Sequence, residues 1–330
     1  MGEGEFVTVK HPPGGTVDLD TLRAFERGLD PLQPERSAIP ARVLGYGEIS
    51  TVFAIERESM RGLAFKRLSI FETQAELVEY ISVYEGYERL LEEEIGIGLP
   101  PNGYAAFPDD SGRPIFYIIQ EQEPAESLGS TLIHTLDAAP LLALFGRLLH
   151  ELGKVWAFNA RQDEVRVGFD GQVSNWAIRP AEGDAPPALR YLDTSTPLFR
   201  VKGREQLNPE MFLRSAPSFL RWVLRLFFMD DVVNRYYDLR RVVIDVIANF
   251  YKEDRPELIP ALVDAANAFF AADYPEGGPA PITTDEVRAY YKEDAFIWSL
   301  YLGMRRLDRW LTARLLRRRY PYILPGRIKR

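Results

Sequence analysis

Four short segments, far apart along the chain, carry side chains suited to an anion and a hydroxyl. The first is Leu44-Gly45-Tyr46-Gly47-Glu48-Ile49-Ser50-Thr51-Val52-Phe53, with two glycines in a turn between apolar runs. The residues that follow, Thr-Val-Phe-Ala-Ile, read as strand, so this is a β-turn-β unit and not the strand-turn-helix of dinucleotide-binding folds. In such a turn backbone N–H groups can approach an anion closely, although the same residues also suit a plain hairpin. The second segment is Leu63-Ala64-Phe65-Lys66. An inward lysine on an apolar strand requires an anion, either phosphate oxygens or a helix carboxylate. Glu85 is expected to be that carboxylate, with Glu79 and Glu88 as rivals. The third, Val167-Gly168-Phe169-Asp170-Gly171-Gln172-Val173-Ser174-Asn175-Trp176, sets an Asp and an Asn between apolar strands. In the fourth, Arg190-Tyr191-Leu192-Asp193-Thr194-Ser195-Thr196-Pro197, an apolar strand delivers an Asp at its end. Magnesium favours one or two carboxylates, amide oxygens, water and phosphate. Asn175 and Asp193 offer such a set, leaving Asp170 for an acceptor hydroxyl. Asx turns at strand ends account for the same residues equally simply.

Periodicity supplies the elements that must position these groups. A helix is expected from Asp18 or Asp20 to about Gly28, in a loop-rich stretch covering 1–40. Short strands are expected at 42–44, 51–56 and 63–68, a helix over 72–94 stopped by Pro100 and Pro101, and a buried strand at 115–120. A long apolar helix follows at 141–159, then strands at 165–169, 176–178 and 189–192. Beyond Pro209 the 3.6-residue period predicts helices over 212–228, 232–251, 258–272 and 284–319, with Asp230-Asp231 as cap and first turn of the second. No internal repeat is visible.

In their order and spacing, the four segments resemble the protein-kinase-like superfamily in its small-molecule branch, the aminoglycoside phosphotransferase-like and choline-kinase-like enzymes. The resemblance covers about residues 41–200. Leu44-Gly45-x-Gly47-x-x-Ser50-x-Val52 is similar to the Gly-rich loop, with Ser in place of the third Gly. Ala64-x-Lys66 is similar to the strand lysine that holds the α- and β-phosphates. Asp170-x-x-x-x-Asn175 is similar to the catalytic loop and Asp193 to the metal-binding aspartate. The resemblance implies an α+β bilobal protein-kinase-like fold, with an N-terminal extension at 1–40, a small antiparallel-sheet N-lobe with one long helix at 41–122, and a large, mostly helical C-lobe at 123–330. It implies ATP and Mg²⁺ as cofactors and Asp170 and Lys66 as catalytic residues. It makes Asn175 and Asp193 the metal ligands. The nucleotide would be bound by Gly45, Tyr46, Gly47, Ser50, Val52, Ala64, Lys66, Glu85, Gln120, Glu121 and Gln122, the last three through a backbone hinge pairing with adenine. The implied activity is transfer of the γ-phosphate to a hydroxyl of a small molecule. The alternatives are a peptide or protein kinase of a biosynthetic pathway, or a pseudokinase scaffold that binds nucleotide without catalysis. This chain has Gly168-Phe169 where the family has His-Arg or His-Gly, and Thr194-Ser195-Thr196-Pro197 where it has Phe-Gly.

Composition sets the outer bounds. The chain has 330 residues, 46% of them hydrophobic and 27% charged, as in a protein with a full core. Cysteine is absent and histidine occurs three times, which excludes a disulfide framework, a thiol nucleophile and a Cys or His metal centre. The acidic start lacks the features of a signal peptide, and no apolar run approaches a membrane span, so a cytoplasmic protein is expected. The net charge of −8 is uneven. Residues 305–330 hold ten basic side chains against Asp308, a charge of +9, so the remainder carries −17. An acidic body argues against nucleic acid as a partner. Phe296, Leu300, Leu307, Leu311 and Leu315 form an apolar stripe on the last helix. Either that stripe docks on the acidic body, or the basic tail at 305–330 attaches to a membrane surface or an acidic partner.

Overall fold

The structure is a computed structural model, and it describes residues 6–47, 49–179, 187–208, 210–213, 233–275, 277–314 and 323. It is a mixed α/β arrangement with a six-stranded antiparallel sheet, two smaller β units and several helices. The sheet strands are β1 (Thr8–Lys10), β2 (Ala41–Tyr46), β3 (Ser50–Ile55), β4 (Leu63–Leu68), β5 (Asn102–Pro108) and β6 (Pro114–Glu121). Their spatial order is β1-β5-β6-β4-β3-β2.

Alternation along each strand sorts the sheet into two faces. Phe53, Phe65, Tyr117 and Ile119 share one face and pack against Leu22 and Phe25 of α1 (Leu19–Gly28). Arg67 lies on that face and forms a buried pair with Glu26 of α1, its Nη2 2.6 Å from Oε1, while the Tyr117 hydroxyl donates to the same carboxylate at 2.5 Å. Lys66, one residue earlier, points the opposite way. Val52, Ile118 and Tyr104 are its register partners across the sheet. This second face packs on α2 (Gln74–Arg89) through Leu77, Tyr80, Ile81 and Tyr84. A pair of consecutive basic residues is thus split between the two faces of the sheet by pleat alone.

Within residues 1–40, expected as an N-terminal extension, β1 pairs with β5 and α1 covers the sheet. The helix expected over 72–94 begins at a capping box, in which Thr73 and Glu76 exchange side-chain and backbone bonds. It continues through a π-helical segment, Leu90–Ile95, and ends at Gly96, whose φ of 82° closes the last turn. Gly96, and not the prolines at 100 and 101, is therefore the stop.

The helical part is built on α3 (Gly129–Thr135), α4 (Ala138–Arg161), α5 (Leu239–Lys252), α6 (Ile259–Asp273) and α7 (Thr284–Arg314). One core joins Leu144, Leu148 and Leu152 of α4 to Val243 and Ile247 of α5 and Leu262 of α6. Asp238 caps α5, accepting from the Arg241 N–H at 3.1 Å. Two small β units sit against this core. β7 (Val165–Val167) pairs with β10 (Phe199–Val201), which pairs with β11 (Arg204–Glu205). The hairpin β8 (Trp176–Arg179) and β9 (Ala188–Tyr191) lies between the sheet and the helices. The Asp230-Asp231 pair, most of the helix expected over 212–228, and the basic tail beyond 314 apart from Ile323 lie outside the described residues.

Candidate functional site

Lys66 and Asp193, 127 positions apart, meet: Lys66 Nζ donates to Asp193 Oδ1 at 2.8 Å. β4 holds the lysine in a buried position, and β9 delivers the aspartate two residues beyond its end. Oδ1 also accepts from the Ser195 hydroxyl at 2.6 Å and the Ser195 N–H at 3.2 Å. Burial works to raise the Asp193 pKa, but Lys66 and the Ser195 donors outweigh it and hold the carboxyl below its usual value. The hydrogen bonds to Asp193 all fall on Oδ1, which leaves Oδ2 as an open acceptor among the described residues.

Asp170 lies in the turn between β7 and β8, with its Oδ1 accepting from the Gln172 N–H at 3.2 Å. Its pKa is pushed up to about 7, first by burial and then by the negative charges of Asp245 and Asp193. Asn175 closes the turn and directs Nδ2 toward the Asp170 carbonyl at 3.5 Å, leaving its amide oxygen without a hydrogen bond among the described residues. Aromatic side chains surround this turn. A Cβ at Gly168 would lie 3.0 Å from the Tyr237 ring, so a side chain there requires that ring to give way by a few tenths of an ångström. Phe169 fills the next position and packs on Tyr191, ring centroids 4.4 Å apart, and on Trp176. That cluster ties the Asp170 turn to the strand that carries Asp193. Gly129, at the start of α3, is pressed on the same turn: an added Cβ would lie 1.9 Å from the Val173 carbonyl oxygen.

Helix α2 spans the gap between sheet and turns. Tyr80 donates to the Ser195 carbonyl at 2.9 Å, and Tyr87 to the Gly168 carbonyl at 3.1 Å. The helix carboxylate facing this region is Glu88. It is buried, accepts from the Tyr84 hydroxyl, and accepts from the Thr194 hydroxyl at 3.3 Å. Burial raises its pKa to about 7 against the opposing effect of the Tyr84 hydrogen bond. Glu85, expected to brace Lys66, accepts from the Tyr104 hydroxyl at 3.1 Å and faces Lys10 across 4.0 Å. Glu85 therefore faces β1 and β5, and Lys66 has Asp193 as its partner instead.

The glycine turn joins β2 to β3, with Gly47 N–H donating to the Ser50 carbonyl at 3.0 Å. Ser50 is buried at the start of β3, Gly45 borders a bulge after Val43, and Tyr46 is exposed. Val52 and Ala64, half-buried, share the Lys66 face with Gln120. At the expected hinge two backbone donors are already paired. The Glu121 N–H is taken by the Pro101 carbonyl and the Gln122 N–H by the Gly62 carbonyl, each within 2.9 Å. Sheet pairing thus occupies both donors, and the first backbone N–H without a hydrogen bond among the described residues is that of Glu123. Glu121 and Glu123 side chains bind Arg179 and Arg190 of the β8–β9 hairpin, with distances from 2.6 to 3.1 Å. Asp245, 8% exposed on α5, was not anticipated; its Oδ2 accepts from Gln172 Nε2 at 2.9 Å. In the sequence it is one acid among apolar helix residues, a weak signal.

No cluster of three or more His, Cys, Asp or Glu able to hold a metal occurs among the described residues. The chain belongs to the family DUF6206, described as a family of unknown function, whose profile matches residues 33–309. No curated protein matches it. Among solved structures, a chain described as WaaP in complex with acyl carrier protein aligns over 80% of this chain and 99% of that one, at 13% identity and a TM-score of 0.32.

Proposed function

We propose that this protein is an ATP- and Mg²⁺-dependent phosphotransferase of bilobal kinase-like architecture, moving the γ-phosphate to a hydroxyl of a small molecule. The observation that carries the reading is the convergence of Lys66, Asp193, Asp170 and Asn175 from segments distant in sequence, with Lys66 and Asp193 in direct contact. The donor set suits a hard cation: one carboxylate oxygen and one amide oxygen accept no hydrogen bond among the described residues, and phosphate and water supply the remainder. Asn175 and Asp193 would hold Mg²⁺, which neutralises charge on the phosphates when bound.

Lys66 binds the α- and β-phosphates as a point charge, and the 45–50 turn covers them with its backbone. Val52 and Ala64 flank the base, and the backbone at Glu123 replaces Glu121 and Gln122 as the edge that meets adenine. Asp170 takes the proton of the acceptor hydroxyl as its oxygen bonds to the γ-phosphorus and the bond to the bridging oxygen of ADP breaks. A pKa near 7 suits this task, since such a base is available near neutral pH and still holds a proton well. The rest of the catalysis is positioning and charge neutralisation.

The test is ATP consumption in the presence of candidate hydroxyl acceptors. Wild type consumes ATP, and Asp170→Ala abolishes turnover while nucleotide binding persists. Turnover that survives in Asp170→Ala would contradict the assignment of the base.

A further inference from the structure

The last helix, α7, has apolar residues on two sides. On the inner side Val287 and Leu302 are buried, and the helix packs on α5. On the outer side Phe296, Leu300, Leu307 and Trp310 are 69%, 52%, 46% and 54% exposed. At 100° per residue these four fall within about 40° of one line along the helix, a stripe roughly 21 Å long. The expected docking of Phe296, Leu300 and Leu307 on the acidic body is therefore overturned: these side chains point away from it. Arg306 and Arg314 are exposed beside the stripe. The sequence from Arg305 to the end carries +9, against −17 on everything before it.

We propose that the outer face of α7 docks on an anionic lipid surface. An interfacial helix combines a Trp, Phe and Leu stripe, buried at the level of the acyl boundary, with arginines that reach the headgroups. Here the stripe supplies the apolar half and the basic end supplies the attraction to anionic lipid. The acidic remainder is repelled by the same surface, which fixes the orientation with α7 facing the lipid. No described helix is long and apolar enough to cross a membrane, so the helix lies on the surface. This inference does not depend on the phosphotransferase reading.

The experiment is co-sedimentation of the full chain with sucrose-loaded vesicles of phosphatidylcholine alone or with one third phosphatidylglycerol. Wild type pellets with the anionic vesicles and not with the neutral ones, and 0.5 M salt reverses binding. Phe296→Ser/Leu300→Ser/Trp310→Ser weakens binding at least tenfold. Because the chain has no cysteine, an environment-sensitive dye on Ser299→Cys reports this face alone and leaves the stripe intact. Its emission shifts to the blue on anionic vesicles. Absence of pelleting, pelleting unaffected by the triple substitution, or a stripe-dependent dimer in place of vesicle binding would each overturn the proposal, as would a dye that stays water-exposed on bound protein.

Discussion

At the scale of single residues, Lys66 and Arg67 show how little sequence separates a site from a scaffold. The pleat sends one to Asp193 and the other to Glu26. Lys66→Ala and Asp193→Asn are each expected to lower turnover by ~10²–10³-fold, the effect of removing one preorganised electrostatic contact. Glu85→Ala is expected to leave nucleotide affinity unchanged, because that side chain faces Tyr104 and Lys10. The Asp170 carboxyl must lose its proton to act as base, so kcat/KM is expected to rise with pH through about 7. Asp245→Asn removes one of the negative charges that raise it and moves the inflection to lower pH. The pH profile of the two proteins measures this. The meeting of Lys66 with Asp193 was readable because strand-end acids and a strand lysine are rare in apolar runs. The choice between Glu85 and Glu88 was not, since both recur at helical spacing and only the rotation of α2 on the sheet decides which is buried.

At the scale of elements, α2 and the β8–β9 hairpin set the spacing between sheet and turns. Glu88 on α2 titrates near 7 in the folded chain, above its unfolded value, so the folded state holds a proton that the unfolded state releases. Its contribution to stability therefore falls as pH rises from about 4.5 to 7. Glu88→Gln is expected to match wild type near pH 4.5 and to exceed it at pH 8 by up to roughly 3 kcal/mol, read from melting curves at both pH values. Gly129→Ala should do the reverse of a helix-propensity gain. Its methyl meets the Val173 carbonyl, so α3 must retreat from the turn that carries Asn175, with losses in both melting temperature and turnover. Helices α4, α6 and α7 were legible from their apolar period, within a few residues at their described ends. The start of α5 was not, because Asp230, Asp231 and Asp238 are chemically equal as caps, and only the local backbone shows that Asp238 takes the role. The glycine stop at Gly96 was likewise hidden, since the prolines a few residues later are the stronger signal in sequence.

At the scale of the molecule, an antiparallel sheet with α1 on one face and α2 on the other meets a helical core through the Asp170 and Asp193 turns. The hinge donors expected from the sequence are spent on the sheet, and the stripe on α7 points outward. Both outcomes depend on packing between distant segments, which local patterns do not encode. The central claim is that Lys66, Asn175 and Asp193 hold one magnesium–triphosphate unit. Thermal unfolding with ATP, with and without Mg²⁺, tests it most directly in wild type and Asp193→Asn. Mg²⁺–ATP is expected to stabilise wild type by about 2.7 kcal/mol at a hundredfold excess over Kd, with most of that lost in Asp193→Asn. No shift in wild type, or an equal shift in Asp193→Asn, would contradict it.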